Sequence, residues 1–164
     1  MSRRDKSRAG LRFLNRGADK NGHVSNFAET EQILTVFGEE GYRIFSYMQI
    51  RGTIPFLWTQ TPDCKWMPNV QISQNVDLNK EVYKKHLQFC LNEYRDVTMI
   101  NLVDNKPGGF HQKLGQKFAE LNKEYPSDRI KLIWFDFQAI TKGLKFSFLI
   151  DLLEEINDNL DSNR

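Results

Sequence analysis

Ile130-Lys-Leu-Ile-Trp-Phe-Asp-Phe137 decides how the second half of this chain folds. Only Lys131 and Asp136 interrupt a run of aliphatic and aromatic side chains. Such a strand has no polar face to turn to water, so it belongs in a sheet covered on both sides, as parallel strands are. Working backward, Leu114, Phe118, Leu121 and Tyr125 are spaced by four, three and four residues, the stripe of an amphipathic helix. Lys106-Pro-Gly-Gly109 punctuates the chain before it, and residues 97–103 make a short apolar strand. Further back, Val82, Tyr83, Leu87, Cys90, Leu91 and Tyr94 fall on one helical face, with Asp77 placed to cap that helix. Forward of the starting stretch, residues 146–160 are apolar at helical spacing and run into a polar tail.

Helix, strand, helix, strand, helix is the order of a mainly parallel sheet with helices packed on it. Two parallel strands make a poor sheet, so the expectation is a layer needing more strands than this stretch supplies. The first half reads differently. Residues 11–60 are strands broken by turns. Lys20-Asn-Gly22 is a tight hairpin signal, because Asn-Gly accepts positive φ. Residues 43–50 form a strand ended by Gly52, and residues 54–59 another, with Pro55 pointing to an edge or a strand start. Residues 61–76, holding Pro62 and Pro68, read as a loop. The fold class is therefore α/β (or α+β), with a basic flexible start at 1–10, a β-rich part at 11–76 and an α/β part at 77–160.

At 164 residues with 40% hydrophobic and 12% aromatic content, the chain can bury a core of its own. A net charge of +2 rules out a strong global basic field, but the charge is unevenly spread. Arg3, Arg4, Lys6, Arg8, Arg12, Arg16 and Lys20 crowd the start, against Asp5 and Asp19. Asp151, Glu154, Glu155, Asp158 and Asp161 crowd the end. The basic start is either a solvated segment or a surface for phosphates, nucleic acid or an anionic membrane. The opening Met-Ser-Arg-Arg-Asp-Lys is too polar for a secretory signal, and no apolar run approaches the roughly 20 residues of a membrane span. Two cysteines and no signal point to a cytoplasmic chain with reduced thiols.

Most catalytic signatures fail on spacing. No Gly-x-x-x-x-Gly-Lys-Ser/Thr and no Gly-x-Gly-x-x-Gly after a strand occurs, which removes the nucleotide readings. Asp19-x-Asn21-Gly22 resembles part of a calcium loop, but Gly17 and Ala28 would stand where carboxylates are required. His23, His86 and His111 lie in separate elements, and each reads as a surface or turn histidine, so no metal or other cofactor is expected. A cysteine phosphatase needs a thiolate and an arginine six positions apart, so that loop amides and guanidinium enclose the phosphate that sulfur attacks. Six positions after Cys64 stands Val70, and six after Cys90 stands Asp96, with Arg95 one residue early.

Several blocks nevertheless resemble one family. Arg8-Ala-Gly-Leu-Arg-Phe13, Arg16-Gly-Ala-Asp-Lys-Asn-Gly-His-Val-Ser-Asn26 and Glu29-Thr-Glu-Gln-Ile33 resemble the hallmark stretch of Sac-type phosphoinositide phosphatases. Gln49-Ile-Arg-Gly-Thr-Ile-Pro-Phe-Leu-Trp-Thr-Gln60, Asn101-Leu-Val-Asp104 and Phe135-Asp-Phe-Gln138 resemble later blocks of the same domain, in the same order. The resemblance implies a partial Sac domain and an enzyme family that dephosphorylates inositol lipid head groups, metal-free, through a phosphocysteine. It also marks two departures. Gln138 replaces a histidine that the family usually has. The family's Cys-x-x-Cys-x-x-Arg-Thr loop and its N-terminal lobe fall outside these residues, so this chain by itself is expected to be inactive. On that reading Arg12, Arg16 and Arg51 hold anionic head groups, or else pair with Asp19, Glu29 or Glu31 to fix the fold. Asp136 stands at a strand end, where α/β sheets keep their sites, as a loop-orienting or leaving-group residue or as a plain cap. Phe56, Trp58 and Trp66 either touch membrane or pack in the core. The implied partners are phosphoinositide lipids and, peripherally, an anionic membrane surface at the cytosolic face of endomembranes. No RNA-recognition motif supports a nucleic-acid partner.

Overall fold

A computed structural model of the chain describes residues 1–9, 15–39, 41–61, 68–142, 147 and 149–161, with side chains described to residue 157. It divides into two compact units, Met1–Val82 and Tyr83–Arg164. Strand β1 (Ser2–Arg4), strand β2 (Ala28–Gly38) and strand β3 (Gly41–Arg51) form an antiparallel sheet in the order β1-β2-β3. The polar start expected to fray is thus partly a strand, which pairs Arg4 with Ala28 and Ser2 with Thr30. β2 and β3 make a long hairpin, pairing Ala28 with Arg51 at one end and Gly38 with Gly41 at the other.

The Lys20-Asn-Gly22 turn forms, but a single bridge between Ala18 and Val24, rather than a pair of strands, closes it. The Asp19 carboxylate accepts from the backbone amides of Asn21 (2.9 Å) and His23 (3.0 Å), and Gly22 takes φ +87°. This is an Asx-type turn, in which a short carboxylate substitutes for backbone acceptors. Residues 54–59 depart from expectation. Only strand β4 (Trp58–Gln60) is extended there, and it pairs with strand β5 (Val70–Ile72), which lies in the region expected to be loop. The segment before β4 is held instead by backbone packing. Gly17 (φ +65°) sits so close that an added Cβ would lie 2.6 Å from the Phe56 carbonyl oxygen and 2.7 Å from that of Trp58. Ala18 donates its amide to the same Phe56 carbonyl (2.8 Å), and both Ser25 N–H and Thr53 hydroxyl donate to Gly17 O (2.9 Å each). Only glycine satisfies both the φ and the approach. Around this contact Ala18, Val24, Phe27, Phe56, Trp58 and Val82 are buried.

Helix α1 (Val76–Tyr94) follows. Its cap is Asn75, not Asp77: Asn75 Oδ1 accepts from the Leu78 amide at 3.0 Å, the third helical position, while Asp77 lies in the first turn beside the positive helix end. The side chain of Asn79, fully buried, accepts from the Leu57 amide (3.0 Å) and donates to the Ser73 carbonyl (2.9 Å). No basic residue stands in the last turn of α1. Arg129 supplies the charge from elsewhere, donating to the carbonyls of Arg95 (2.6 Å) and Leu91 (3.2 Å) and reaching Asp96 at 3.3 Å. A cation at the carbonyl end complements the helix dipole.

Strands β6 (Val97–Asn101) and β7 (Ile130–Trp134) pair in parallel, from Val97 with Ile130 to Asn101 with Trp134. Both stop short of the ranges expected. Parallel neighbours need a crossover, and helix α2 (Phe110–Lys123) provides it. Its stripe behaves as its spacing predicts: Leu114, Phe118 and Leu121 are buried with Tyr83, Leu87, Cys90, Ile133 and Phe135. Tyr83 meets Phe118 edge to face at 6.0 Å between ring centroids, and its hydroxyl donates to Asn122 at 2.8 Å. Gly115 lies against the Trp134 ring, leaving no room for a Cβ. Phe137, read as the strand's end, instead opens helix α3 (Phe137–Ile140), and helix α4 (Leu149–Asp161) closes the chain. The expected mixture stands: an antiparallel β-rich part, then helices on a parallel pair.

Candidate functional site

In α/β layers ligands collect beyond the carboxyl ends of parallel strands. There the loop after β6 carries Asp104, Asn105 and Lys106, the start of α2 carries His111 and Gln112, and the end of β7 carries Asp136. Asp136 Oδ1 caps α3 by accepting from the Ala139 amide (3.0 Å), while its Oδ2 accepts from the Asn105 amide (2.7 Å). Burial alone would raise this carboxyl, but the Asn105 and Ala139 amides and the nearby Lys106 charge outweigh it and hold it below the ordinary carboxylate range. Gln112 completes the loop, donating to Asn105 Oδ1 (3.0 Å) and accepting from the Gly108 amide (3.0 Å).

His111 is not a plain surface histidine. Its Nδ1 meets the buried Asp104 carboxylate at 2.5 Å. Lys106 Nζ stands 3.9 Å from the same carboxylate. A carboxylate on Nδ1 fixes the ring's orientation and leaves Nε2 outside that contact. Neither Asp104 nor His111 stood among the expected site residues. The signal was faint: a single Asp and a single His seven positions apart across a Pro-Gly-Gly turn, which no fixed spacing rule collects.

The other candidates lie in the first unit. Arg16 is half-buried with its guanidinium 5.8 Å from the Trp58 ring centre, a cation–π arrangement. Its carbonyl accepts from Arg8, whose Nε also donates to buried Ser25 (2.7 Å). Arg8 was legible only as part of its block. Arg51, the last residue of β3, is exposed, and among the described residues its side chain has no ion-pair or hydrogen-bond partner. Arg12 lies outside the described residues, as do Cys64 and Trp66. The carboxylates offered as alternative partners are engaged: Glu29 by Arg3 (2.9 Å), Asp19 by His23 (3.2 Å) and Glu31 by the Ser46 hydroxyl (2.7 Å). Phe56 and Trp58 are buried, and Trp58 Nε1 donates to the Ile54 carbonyl (3.1 Å).

Cys90 is a poor nucleophile. It is buried on the inner face of α1, and burial pushes its thiol up to about 12, although His86 Nε2 lies 3.6 Å from its sulfur. Among the described residues no group of three or more His, Cys, Asp or Glu is placed to hold a metal ion. No described helix is long and apolar enough to cross a membrane.

A parallel pair with a helical crossover and a polar loop at its carboxyl edge defines an α/β domain of the kind that keeps its ligands at strand ends. Within that class the chain belongs to the SacI homology domain family, which it matches over residues 1–142. It is 35% identical over 161 residues to the phosphatidylinositol-3-phosphatase SAC1-B of Danio rerio, covering 96% of this chain and 26% of that protein. It is 35% identical over 163 residues to the phosphoinositide phosphatase SAC7 of Arabidopsis thaliana, with 99% and 26% covered. The phosphatidylinositol-3-phosphatase SAC1 of Saccharomyces cerevisiae is 32% identical over 161 residues, with 95% and 25% covered. The chain thus spans about a quarter of the length of these relatives.

Proposed function

We propose that this chain is part of a phosphoinositide phosphatase, a domain that removes phosphate from inositol lipid head groups through a cysteine these residues do not contain. The family match carries the reading, supported by the names of the relatives. The chain supplies surroundings rather than the nucleophile. Arg12, Arg16 and Arg51 hold anionic groups of the lipid, and Asp136 fixes the loop beyond β6. Cys90 takes no part, since a thiol so buried does not ionise near neutrality. By itself the chain is inactive and works at the cytosolic face of membranes. The test is release of inorganic phosphate from soluble short-chain phosphatidylinositol monophosphates by the purified chain. No release is expected, before or after Cys90→Ser. Any release would overturn the proposed inactivity, and release abolished by neither cysteine substitution would overturn the thiolate chemistry as well.

A second reading is favoured by one feature: Arg3 and Arg4 lie exposed on β1 with Lys6 just beyond. On it the chain is a noncatalytic scaffold binding anionic phosphoinositide membranes. Flotation with phosphatidylinositol 4-phosphate vesicles distinguishes the two, because binding through these residues weakens with salt.

A further inference from the structure

β3 is an edge strand. The sheet order is β1-β2-β3, so among the described residues the outer backbone edge of Gly41–Arg51 has no partner strand. The hairpin is apolar on both faces. Ile33, Val36, Phe37, Tyr42, Ile44 and Phe45 are all more than 45% exposed. Long, exposed, apolar edges attract another strand, and soluble proteins usually blunt them. On β3 the blunting is slight: Arg43 is the one charge before the terminal Arg51.

We infer that β3 pairs with β3 of a second copy of this chain, antiparallel across a two-fold axis at Ser46. Such pairing sets residues of equal distance from the axis opposite each other, on one face of the joined sheet. Only the register centred on Ser46 engages the whole strand, from Gly41 opposite Arg51 onward. It sets Tyr42 opposite Ile50, Ile44 opposite Met48, Phe45 opposite Tyr47 and Arg43 opposite Gln49. Every apolar residue meets an apolar one and no two like charges meet. Moving the axis to Tyr47 would set Arg43 opposite Arg51, and like charges directly opposed destabilise a ladder. The product is a six-stranded sheet with the β3 edges closed.

Sedimentation of the purified chain over micromolar to submillimolar concentrations tests this, with Gln49 as the probe because it is exposed and opposes Arg43. A monomer–dimer equilibrium is expected. Gln49→Arg weakens it and Gln49→Glu strengthens it, each by roughly 2- to 30-fold for the two symmetric pairs. Far-UV circular dichroism of the variants stays that of the parent. Under mild oxidation by dissolved oxygen, Ser46→Cys gives a disulfide between two copies of residue 46, since residues opposed on the axis lie within bonding reach. A monomer at every concentration, open-ended aggregation in place of a dimer, a dimer indifferent to both Gln49 variants, or no linkage at residue 46 would each overturn the assignment.

Discussion

The β2–β3 hairpin and the α1–α2–β7 core have comparable shares of large apolar residues, yet one shows them to solvent and the other hides them. Phe37 is 82% exposed, whereas Phe118 is 5% exposed. Periodicity accounts for the difference. Leu114, Phe118 and Leu121 recur at helical spacing, so one face takes them all and one neighbour covers them. In the hairpin Ile33 and Leu34, or Phe45 and Ile44, point to opposite faces, so a single covering layer would leave half of them outside. An apolar residue therefore stabilises this chain according to whether its element gathers apolar groups on one side. A strand rich on both sides waits for further structure.

Four substitutions probe that contrast. The largest effect belongs to the core: Phe118→Ala should cost about 3–5 kcal/mol in chemical denaturation, from lost burial and the cavity beside Tyr83. A cost below about 1 kcal/mol would show that the second unit is loosely packed. Next is Asn79→Ala, which strands the Leu57 amide and the Ser73 carbonyl and should cost about 2–3 kcal/mol. Wild-type stability after this change would mean that water replaces both bonds. Smaller and dependent on pH is Asp136→Asn. The carboxyl is lowered in the folded state, so its contribution is fully present above the ordinary value of 3.8 and is lost as pH falls below it. The stability difference between parent and variant should therefore shrink on acidification from pH 5 toward pH 2, and a gap that widened would reverse the assigned sign. The smallest is Phe37→Ser. It removes only the tilted contact with Tyr42, 6.4 Å between centroids, and should change the melting free energy by under about 1 kcal/mol. A loss as large as that of Phe118→Ala would place a covering layer over the hairpin.

The sequence showed the helical stripes plainly, because Leu114, Phe118 and Leu121 depend on nothing beyond their own spacing. It hid β2. Ala-Glu-Thr-Glu-Gln-Ile-Leu-Thr-Val-Phe-Gly alternates too weakly to declare a strand, and its extension is imposed by eleven pairings with β3. It also misplaced the α1 cap, because Asn75 and Asp77 are both competent and only the geometry of the first turn separates them. The candidate site was half legible. Asp136 stands just past a strand that an unbroken apolar run announces. The Asp104–His111 contact arises from a loop folding back on the start of α2, and no local rule relates those two positions.

Arg129 has a consequence beyond the helix end it neutralises. By gripping the carbonyls of Leu91 and Arg95 just before β7 begins, it brings the two ends of the intervening excursion together. Everything from β6 to the end of α2 is then a cassette between fixed posts. Because the entropy of closing a loop grows only logarithmically with its length, the turn near Pro107 can gain or lose residues at little cost to either post. Length variation among related chains should therefore gather inside this cassette, and so alter the polar loop beside His111 without disturbing the strands that present it.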